Sequence, residues 1–300
     1  MVSHEKIREV LKNWNLENET ITNVHECVCY VGEEYVIKFS TDLSSVENNI
    51  SVSQAIEREG LSTATPIMTT AGEYVAKYED MYFYVMKRLE GNTLDVESLY
   101  REDYTSKARL LGKSIGQLSV ALSKINVIAN QPNIYASAIE WAIPTLEKKM
   151  DLPKSFIEMY EKEFGKIYES LSQQIIHRDP NPGNFIFSSD KWGVLDFDLS
   201  ERNLRIFDPC YAATAILSES FEVDNTDKLN QWKEIYKSIL LGYDEVAKLS
   251  EDEWKAIPYV AITNQLISTA WFSEQEMYKD LYEKNKKMTE WMLQDFDVKE

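Results

Sequence analysis

The hydrophobic pattern changes near residue 90, and this change limits the possible fold more than any other feature of the chain. Residues 21–39, 74–78 and 81–89 are rich in Val and Tyr with alternating polarity, which is typical of strands. The first of these segments is broken at residues 32–34 and therefore predicts a hairpin. Helical spacing is found at residues 4–14 and 45–59 and then, beyond Gly91, over 103–124, 137–150, 154–173, 206–218, 225–246 and 252–295.

These patterns predict an α+β protein with two parts. Residues 1–90 are expected to form a small N-terminal antiparallel sheet with one helix inserted after its second strand. Residues 91–300 are expected to form a larger, mostly helical part. A short β hairpin, with strands over 184–188 and 193–195, is predicted among the helices and marks a place to look for chemistry.

Composition excludes several classes of protein. The 300 residues carry 50 acidic and 32 basic side chains, a net charge of -18, which repels phosphate backbones and anionic lipids. No apolar run reaches the ~18 residues of a membrane span, and the N-terminus lacks the apolar core of a signal peptide. Three cysteines, Cys27, Cys29 and Cys210, are too few for a disulfide framework, and three histidines argue against a zinc site. We expect a cytoplasmic protein without nucleic-acid or membrane partners; its oligomeric state is not indicated.

The predicted hairpin is preceded by the run HRDPNPGN, residues 177–184, and ends in VLDFD, residues 194–198. The spacing H-x-D-x-x-x-x-N, followed by a strand that ends in Asp, matches a template for phosphoryl transfer. In that template Asp179 lies near the acceptor hydroxyl, Asn184 binds a metal ion, and Asp196 joins Mg²⁺ to the nucleotide phosphates. The alternative is a solvated loop with a capped strand end, which the combination of motif and hairpin disfavours.

The chemistry explains why these residue types are needed. The metal ions of a nucleoside triphosphate require hard oxygen ligands, and the attacking hydroxyl requires a nearby proton acceptor. Asp198 follows Asp196 by two residues and is either a further metal ligand or a solvated carboxylate.

A lysine on the second strand, Lys38 in YVIKF, resembles the strand lysine that contacts the α- and β-phosphates. The carboxylate that orients such a lysine would lie on the following helix. We expect it to be Glu47, with Glu57 and Glu59 as alternatives. Residues 84–94, YVMKRLEGNTL, predict an extended segment whose backbone near Lys87 and Leu89 pairs with an adenine edge.

Taken in order, these elements resemble the aminoglycoside phosphotransferase and choline kinase family, which also includes type II homoserine, macrolide and methylthioribose kinases. The resemblance covers about residues 20–215. It implies a bilobal protein-kinase-like fold, ATP or GTP with Mg²⁺, and phosphorylation of a hydroxyl on a small molecule. By matched position it implies that Asp179 is the catalytic base, that Asn184 and Asp196 are metal ligands, and that Lys38 contacts phosphate. It also implies that Asp208, with His177, supports the catalytic loop.

Two departures from the family pattern leave alternatives open. Arg178 replaces a small or polar residue, and it either neutralises nearby carboxylates or lines the acceptor site. The expected nucleotide-covering loop, residues 23–28, contains no glycine, so backbone cradling of phosphates is not supported. His25 in this loop either donates to a phosphate or is an exposed turn histidine. A nucleotide-binding pseudokinase or regulatory module is therefore the main alternative.

The acceptor is the least constrained part of the prediction. The acidic composition suits a cationic compound such as an aminoglycoside or an amino alcohol, while homoserine-like and sugar acceptors stay open. The absence of an A-P-E segment argues against a protein substrate. Trp271, Phe272 and Glu274 are candidates for lining the acceptor pocket.

Overall fold

The computed structural model describes residues 2–189 and 191–295. Its strands are β1 (Ile21–His25), β2 (Val28–Val31), β3 (Tyr35–Ser40), β4 (Ser62–Thr63), β5 (Pro66–Ile67), β6 (Ala76–Tyr78), β7 (Met81–Lys87), β8 (Asn92–Thr93), β9 (Gln173–Ile176), β10 (Phe185–Phe187), β11 (Trp192–Val194) and β12 (Glu201–Leu204). Its α-helices are α1 (His4–Leu11), α2 (Leu43–Arg58), α3 (Tyr104–Leu122), α4 (Ile134–Ser137), α5 (Ile143–Leu146), α6 (Lys154–Met159), α7 (Gly165–Tyr168), α8 (Phe207–Ser220), α9 (Thr226–Val246), α10 (Glu251–Ser273) and α11 (Lys279–Asp295). Short π-helical segments, Ala138–Ala142 and Tyr160–Phe164, join α4 to α5 and α6 to α7.

The chain packs into two compact units. The first comprises the chain up to Thr93 together with Lys124–Ile128 and Asn184–Ser200. The second comprises Leu94–Ser123, Ala129–Gly183 and the chain from Glu201 onward. The predicted domain boundary at residues 90 and 91 stays a prediction, because compact units need not fold independently. The packing nevertheless assigns two later segments to the first unit, which the sequence did not indicate.

The larger sheet of the first unit has the strand order β1-β2-β3-β7-β5, with β6 also paired to β7, and all of these pairs are antiparallel. The predicted hairpin over residues 21–39 is a three-stranded meander, because a second tight turn at Glu26 and Cys27 separates β1 from β2. Successive side chains of β3 point to opposite faces of the sheet, so Ile37 and Phe39 lie on the same face and are buried in a core that also contains Leu11 of α1. Burial of these apolar side chains fixes the register of β3, since a one-residue slip would expose them.

The second sheet of the first unit has the order β4-β11-β10-β8. The predicted hairpin is present as β10 and β11, but it is not buried among helices: β10 pairs with β8, and β11 pairs in parallel with β4. Gly91 permits the close approach of β8, because its φ is +129° and a Cβ there would collide with the backbone oxygen of Phe187. This sheet brings the end of β11 into the first unit.

The second unit is built mainly from helices. Helices α3 and α9 pack with almost no space between their backbones, because a Cβ on Gly112 would collide with the Ile239 carbonyl and one on Gly242 with the Arg109 carbonyl. The single helix predicted over 252–295 is instead two helices, α10 and α11. The backbone of Gln275 is extended at the break, and the rings of Trp271 and Tyr278 pack across it with centroids 5.6 Å apart.

In the part of the chain that is described, no helix is both long and apolar enough to cross a bilayer.

Candidate active site

Lys38 lies between two carboxylates in the first unit. Its Nζ is 2.7 Å from Oδ1 of Asp196 and 3.1 Å from Oδ2 of Asp198. The Lys38 side chain is only 11% exposed, whereas those of Asp196 and Asp198 are 40% and 28% exposed. Strand β3 supplies the lysine, and the segment that follows β11 supplies both carboxylates. Lys38 therefore meets two predicted site carboxylates that follow it by about 160 positions in sequence.

The end of the β10–β11 hairpin determines where these carboxylates lie. The Leu195 N–H donates to the Asn184 carbonyl at 2.9 Å, which ties the start of β10 to the residue before Asp196. Asp196 itself has a φ of +66°, in the left-handed region that few residues other than glycine adopt. Strain of this kind costs on the order of 1–3 kcal/mol and is concentrated at functional sites.

A cavity of about 360 Å³ lies within the first unit beside these groups. Its polar lining includes Lys38, Asn184 and Asp196. Its apolar walls come from both sheets and include Val28, Val36, Ala64, Met86, Ile186 and Leu195. Apolar walls with a few convergent polar groups are typical of a small-ligand site.

The charges of the site reinforce one another. Burial lowers the pKa of Lys38, but its electrostatic interactions with Tyr84 and with the negatively charged Asp196 and Asp198 more than offset this, so its pKa lies above the usual value. Burial raises the pKa of Asp198, and the Lys38 ammonium opposes that shift. The ammonium is therefore held in its charged form, ready to contact an anion.

The expected partner of Lys38, Glu47, is not one of its ion-pair partners. Glu47 is exposed on α2, because the buried face of that helix is formed by Val46, Asn49 and Ile50. Of the two alternatives, Glu57 accepts from the Thr65 hydroxyl and Glu59 pairs with Lys124. The geometry thus does not support Glu47 as the orienting carboxylate, and Asp198 takes its place beside Lys38.

The segment after β7 lines the cavity as expected, but one of its two predicted backbone contacts is already used. The Lys87 N–H donates to the Thr65 carbonyl at 2.9 Å, so this N–H is not available to a ligand. The Leu89 N–H forms no hydrogen bond with any residue that the structure describes. Leu89 is therefore the better candidate for pairing with a nucleobase edge.

The turn between β1 and β2 borders the same cavity. It consists of Glu26 and Cys27 alone, so the strands are joined too tightly to form a long covering loop. Val24 and Val28 line the cavity from this side, while His25 is exposed. The glycine-free turn thus offers apolar contact more than backbone donors.

The donor set of the first unit fits a magnesium ion. Over residues 2–189 and 191–295, no group of three His, Cys, Asp or Glu side chains forms a complete metal site. Mg²⁺, however, is commonly held by one or two carboxylates together with substrate phosphates. Asp196 and Asp198 supply two carboxylates, and Asn184 adds an amide oxygen at the cavity wall.

The HRD run lies in the second unit, directly after β9. The buried Asp208, in the first turn of α8, accepts hydrogen bonds from the backbone N–H groups of His177 (2.9 Å) and Arg178 (3.0 Å). His177 is completely buried, and its Nδ1 accepts from the Asp179 N–H at 3.3 Å. Burial raises the pKa of Asp208, while His177 and the two N–H groups lower it. These contacts give Asp208 and His177 the geometry of supports for the loop.

Asp179 is half-buried and held from two sides within this unit. The Asn181 side chain donates to its Oδ1 at 3.0 Å. Asp179 also interacts with the Tyr211 hydroxyl, whose pKa is raised first by burial and then by the negative charge of Asp179. A carboxylate held in this way is suited to accept a proton or a hydroxyl hydrogen bond.

Arg178 is partly exposed and is anchored by an acidic and an aromatic side chain. Its Nε is 2.9 Å from the Glu201 carboxylate, and its guanidinium lies 4.4 Å from the centre of the Phe207 ring. The first of the two interpretations of Arg178, neutralisation of a carboxylate, therefore has direct geometric support. Its φ of +79° is a second left-handed backbone conformation at a predicted site residue.

Two of the three residues predicted to line the acceptor pocket, Trp271 and Phe272, belong to a partly exposed aromatic cluster. The Trp271 and Phe272 ring centroids are 5.1 Å apart, Tyr278 packs on both, and Trp271 is 44% exposed. Glu274 caps the C-terminal end of α10. The role of these residues as acceptor lining stays a prediction.

Comparison with known proteins identifies the family. Residues 28–246 match the model of the "Phosphotransferase enzyme family", abbreviated APH. The chain belongs to this family. The match spans β2 through α9 and includes Lys38, Asp179, Asn184, Asp196 and Asp208, and it confirms the predicted family and the prediction of a phosphotransferase enzyme.

Several solved kinase and phosphotransferase structures share the fold along nearly the whole chain. Amicoumacin kinase hAmiN, in complex with AMP-PNP, Ca²⁺ and Ami, has a TM-score of 0.74 and 15% identity, covering 99% of this chain and 96% of its own. A microcompartment-associated aminopropanol kinase has a TM-score of 0.70 and 13% identity, with coverage of 97% and 98%. The GDP complex of aminoglycoside 2'-phosphotransferase-IIIa has a TM-score of 0.69 and 13% identity, with coverage of 96% and 98%.

These likenesses confirm the predicted kinase-like fold, with an antiparallel sheet in the N-terminal part and a helical C-terminal part. No curated protein sequence matches the chain.

Sequence reasoning missed several polar residues of the first unit that contact the segment after β11. Asn48 and Asn49 of α2 and Tyr84 of β7 all hydrogen-bond to residues between Phe197 and Ser200. One signal was available, because two adjacent asparagines in the middle of a helix are unfavourable unless their amides have partners.

Proposed function

We propose that this phosphotransferase-family protein is a kinase that transfers the γ-phosphoryl group of ATP or GTP to a hydroxyl of a small molecule. The observation that carries the proposal is the convergence of Lys38, Asp196 and Asp198 beside a cavity whose walls are apolar. An ammonium and two carboxylates at the end of an apolar cavity suit a ligand with a flat base and a metal-bound polyphosphate. The proposal includes a cytoplasmic location, where such nucleotides are abundant.

Different residues of the cavity would bind the base, the phosphates and the metal ion of the nucleotide. Val28, Val36, Ala64 and other apolar walls would enclose the base, and the Leu89 N–H would pair with its edge. The Lys38 ammonium would contact the phosphates after leaving one or both carboxylates. Asn184 and Asp196, with Asp198 as a third donor, would hold Mg²⁺, which when bound neutralises charge on the phosphates.

Asp179 would act on the acceptor. Asn181 and Tyr211 fix its carboxylate, which would accept the proton of the acceptor hydroxyl or hold that hydroxyl in line. Arg178, paired with Glu201, would stabilise the loop without reaching the substrate. Most of the rate enhancement would come from positioning and charge stabilisation, since phosphoryl transfer requires no covalent intermediate with the protein.

For the acceptor we propose a small cationic compound such as an aminoglycoside-like molecule or an amino alcohol. The net charge of -18 favours cationic ligands over anionic ones. Two similar structures are named for kinases of amicoumacin and of aminopropanol, and a third for an aminoglycoside phosphotransferase.

The test is an ADP-release assay with ATP and GTP over a panel of acceptors: aminoglycosides, choline, ethanolamine, aminopropanol, homoserine, methylthioribose and macrolides. With an active acceptor, Asp179→Asn is expected to lower turnover by about 10²–10⁴-fold while the nucleotide-induced thermal shift is retained. Asp151→Asn, which changes an exposed loop carboxylate of the same unit, serves as the control. Full turnover by Asp179→Asn would refute the assigned role.

One observation favours a second candidate, a nucleotide-binding module without turnover. The turn at Glu26 and Cys27 supplies no glycine and few backbone donors for phosphates. A thermal shift with Mg·ATP, combined with no ADP formation from any acceptor in the panel, would support this second function over the first.

A further inference from the structure

Helix α2 contacts the segment after β11 through an amide. The Nδ2 group of Asn48 lies 3.1 Å from the Phe197 carbonyl, 3.2 Å from the Asp198 carbonyl and 2.8 Å from the Ser200 carbonyl. Two amide hydrogens are thus shared among three backbone oxygens of one short segment. An aliphatic side chain at position 48 would leave these oxygens without that donor.

The next residue along α2 extends the contact. Asn49 is 1% exposed; its Oδ1 accepts from the Phe197 N–H at 3.3 Å, and its Nδ2 donates to the Tyr84 hydroxyl at 2.8 Å. Tyr84 in turn donates to Oδ1 of Asp198 at 3.3 Å. The other carboxylate oxygen of Asp198 contacts Lys38. A chain of hydrogen bonds therefore runs from α2 to the ammonium of the site.

We propose that Asn48, Asn49 and Tyr84 are positioning residues for the metal-binding segment, and that through Asp198 they replace the helix carboxylate expected to orient Lys38. We name these three residues the amide clamp. The inference rests on the proposed function and deepens it, because it concerns how Asp196 and Asp198 are held for a magnesium-bound nucleotide. It also accounts for the exposed position of Glu47, which leaves α2 without a carboxylate next to Lys38.

The burial and geometry of the clamp favour a positioning role. Asn49 and Tyr84 are nearly completely buried, and Asn48 is half-buried, so water competes poorly for their hydrogen bonds. Their acceptors belong to the segment that starts with the left-handed residue Asp196. A backbone in a sparsely populated conformation persists only when surrounding contacts hold it.

Two variants test the clamp in the full chain. Asn48→Ala removes the donor to three carbonyls, and Tyr84→Phe removes one hydroxyl while keeping the buried ring. Ser53→Ala is the matched control: Ser53 is also buried on α2, but in the described part of the chain its hydroxyl donates to the Asn49 and Ile50 carbonyls within the helix and not to residues 195–200. Each variant is checked by thermal unfolding before use, and Tyr84→Phe carries the test if Asn48→Ala does not fold.

The first readout needs neither ligand nor activity. In nucleotide-free protein, amide hydrogen exchange over residues 195–200 is expected to become about tenfold faster in Asn48→Ala, the size expected for losing one or two hydrogen bonds. Tyr84→Phe should show a smaller increase in the same residues, and Ser53→Ala none. Unchanged exchange in both clamp variants would overturn the proposal.

The second readout separates positioning from general stability. The affinity for ATP is measured with MgCl₂ and with EDTA, and the ratio of the two affinities is compared among variants. Asn48→Ala is expected to reduce this ratio about tenfold, with the affinity in EDTA unchanged within about twofold. A ratio equal to that of the wild type, or an equal loss in Ser53→Ala, would overturn the positioning role.

Failure of the proposed function would look different. If wild-type protein binds neither ATP nor GTP in either buffer, the kinase proposal fails, while the exchange experiment still decides whether the clamp holds the segment. If wild-type protein binds Mg·ATP and phosphorylates an acceptor but both clamp variants behave like Ser53→Ala, the kinase proposal stands and the clamp is refuted.

Discussion

Lys38→Met would remove the cation that lies between Asp196 and Asp198 while keeping most of the side-chain volume. In the wild type, both carboxylates lie within hydrogen-bond distance of one nitrogen, so their nearest oxygens are at most about 6 Å apart. Without the ammonium, two negative charges face each other beside an apolar cavity. The variant should therefore be less stable than the wild type when no divalent cation is present.

The magnitude follows from Coulomb's law. At an effective dielectric constant of about 20, two unit charges about 6 Å apart repel by about 3 kcal/mol. Asp196 is 40% exposed, so solvent screens part of this repulsion, and we expect a loss of about 1–2 kcal/mol in the free energy of unfolding. For a chain of 300 residues the loss corresponds to a fall in Tm of about 1.5–3 °C.

Differential scanning calorimetry in EDTA measures this loss, and a parallel scan with MgCl₂ tests its cause. A divalent cation that binds the two carboxylates should restore more than half of the lost Tm in Lys38→Met, and NaCl of equal ionic strength should not. Lys113→Met, which breaks a surface pair with Glu245, is the control and should respond weakly to Mg²⁺. A Lys38→Met protein as stable as the wild type in EDTA would refute the electrostatic reasoning.

Three further changes test separate parts of the structure. Gly91→Ala should lower the free energy of unfolding in urea by about 2–4 kcal/mol, because of its positive φ and the collision with the Phe187 oxygen; a loss below about 0.5 kcal/mol would contradict this. Asn264→Leu should raise the Tm, because neither side-chain amide atom of Asn264 has a hydrogen-bond partner within the described chain and burying such groups costs about 1–3 kcal/mol; a lower Tm would contradict it. Asp208→Asn tests linkage: since burial raises the folded pKa of Asp208 above its usual 3.8, this carboxyl stabilises most below that pH and less as pH rises through the folded pKa. The stability advantage of the wild type over Asp208→Asn should therefore shrink as the pH rises above the usual pKa of 3.8, and a constant difference would argue against the raised pKa.

The part of the site that could be predicted from sequence depends on local spacing. H-x-D-x-x-x-x-N and the strand ending in Asp196 are short patterns, and a lysine on an alternating strand is visible as such, so Lys38, Asp179 and Asn184 could be selected from residues alone. The support of the loop by Asp208 followed from the family resemblance, and the structure gives it backbone contacts.

What could not be predicted depends on contacts between distant segments. A two-residue strand such as β4 or β8 has no periodicity of its own and exists only because β10 and β11 lie beside it. The choice of Glu47 rested on its distance along the chain from Lys38, but helical rotation turns it outward and turns Asn49 inward. Packing alone decides whether an asparagine on that helix faces solvent or, like Asn48, donates to a carbonyl 149 residues later.

The discontinuous first unit has a consequence for biosynthesis. Its sheet β4-β11-β10-β8 needs residues up to 194, and its lysine at position 38 meets a carboxylate only when residue 196 has left the ribosome. At about 5–20 residues per second, the N-terminal strands would wait roughly 5–20 s after residue 93 for their missing neighbours. During this interval the segments that become β4 and β8 have no strand to pair with, so their backbone groups stay unpaired until β10 and β11 are made, and this is the stage at which chaperones would protect the chain.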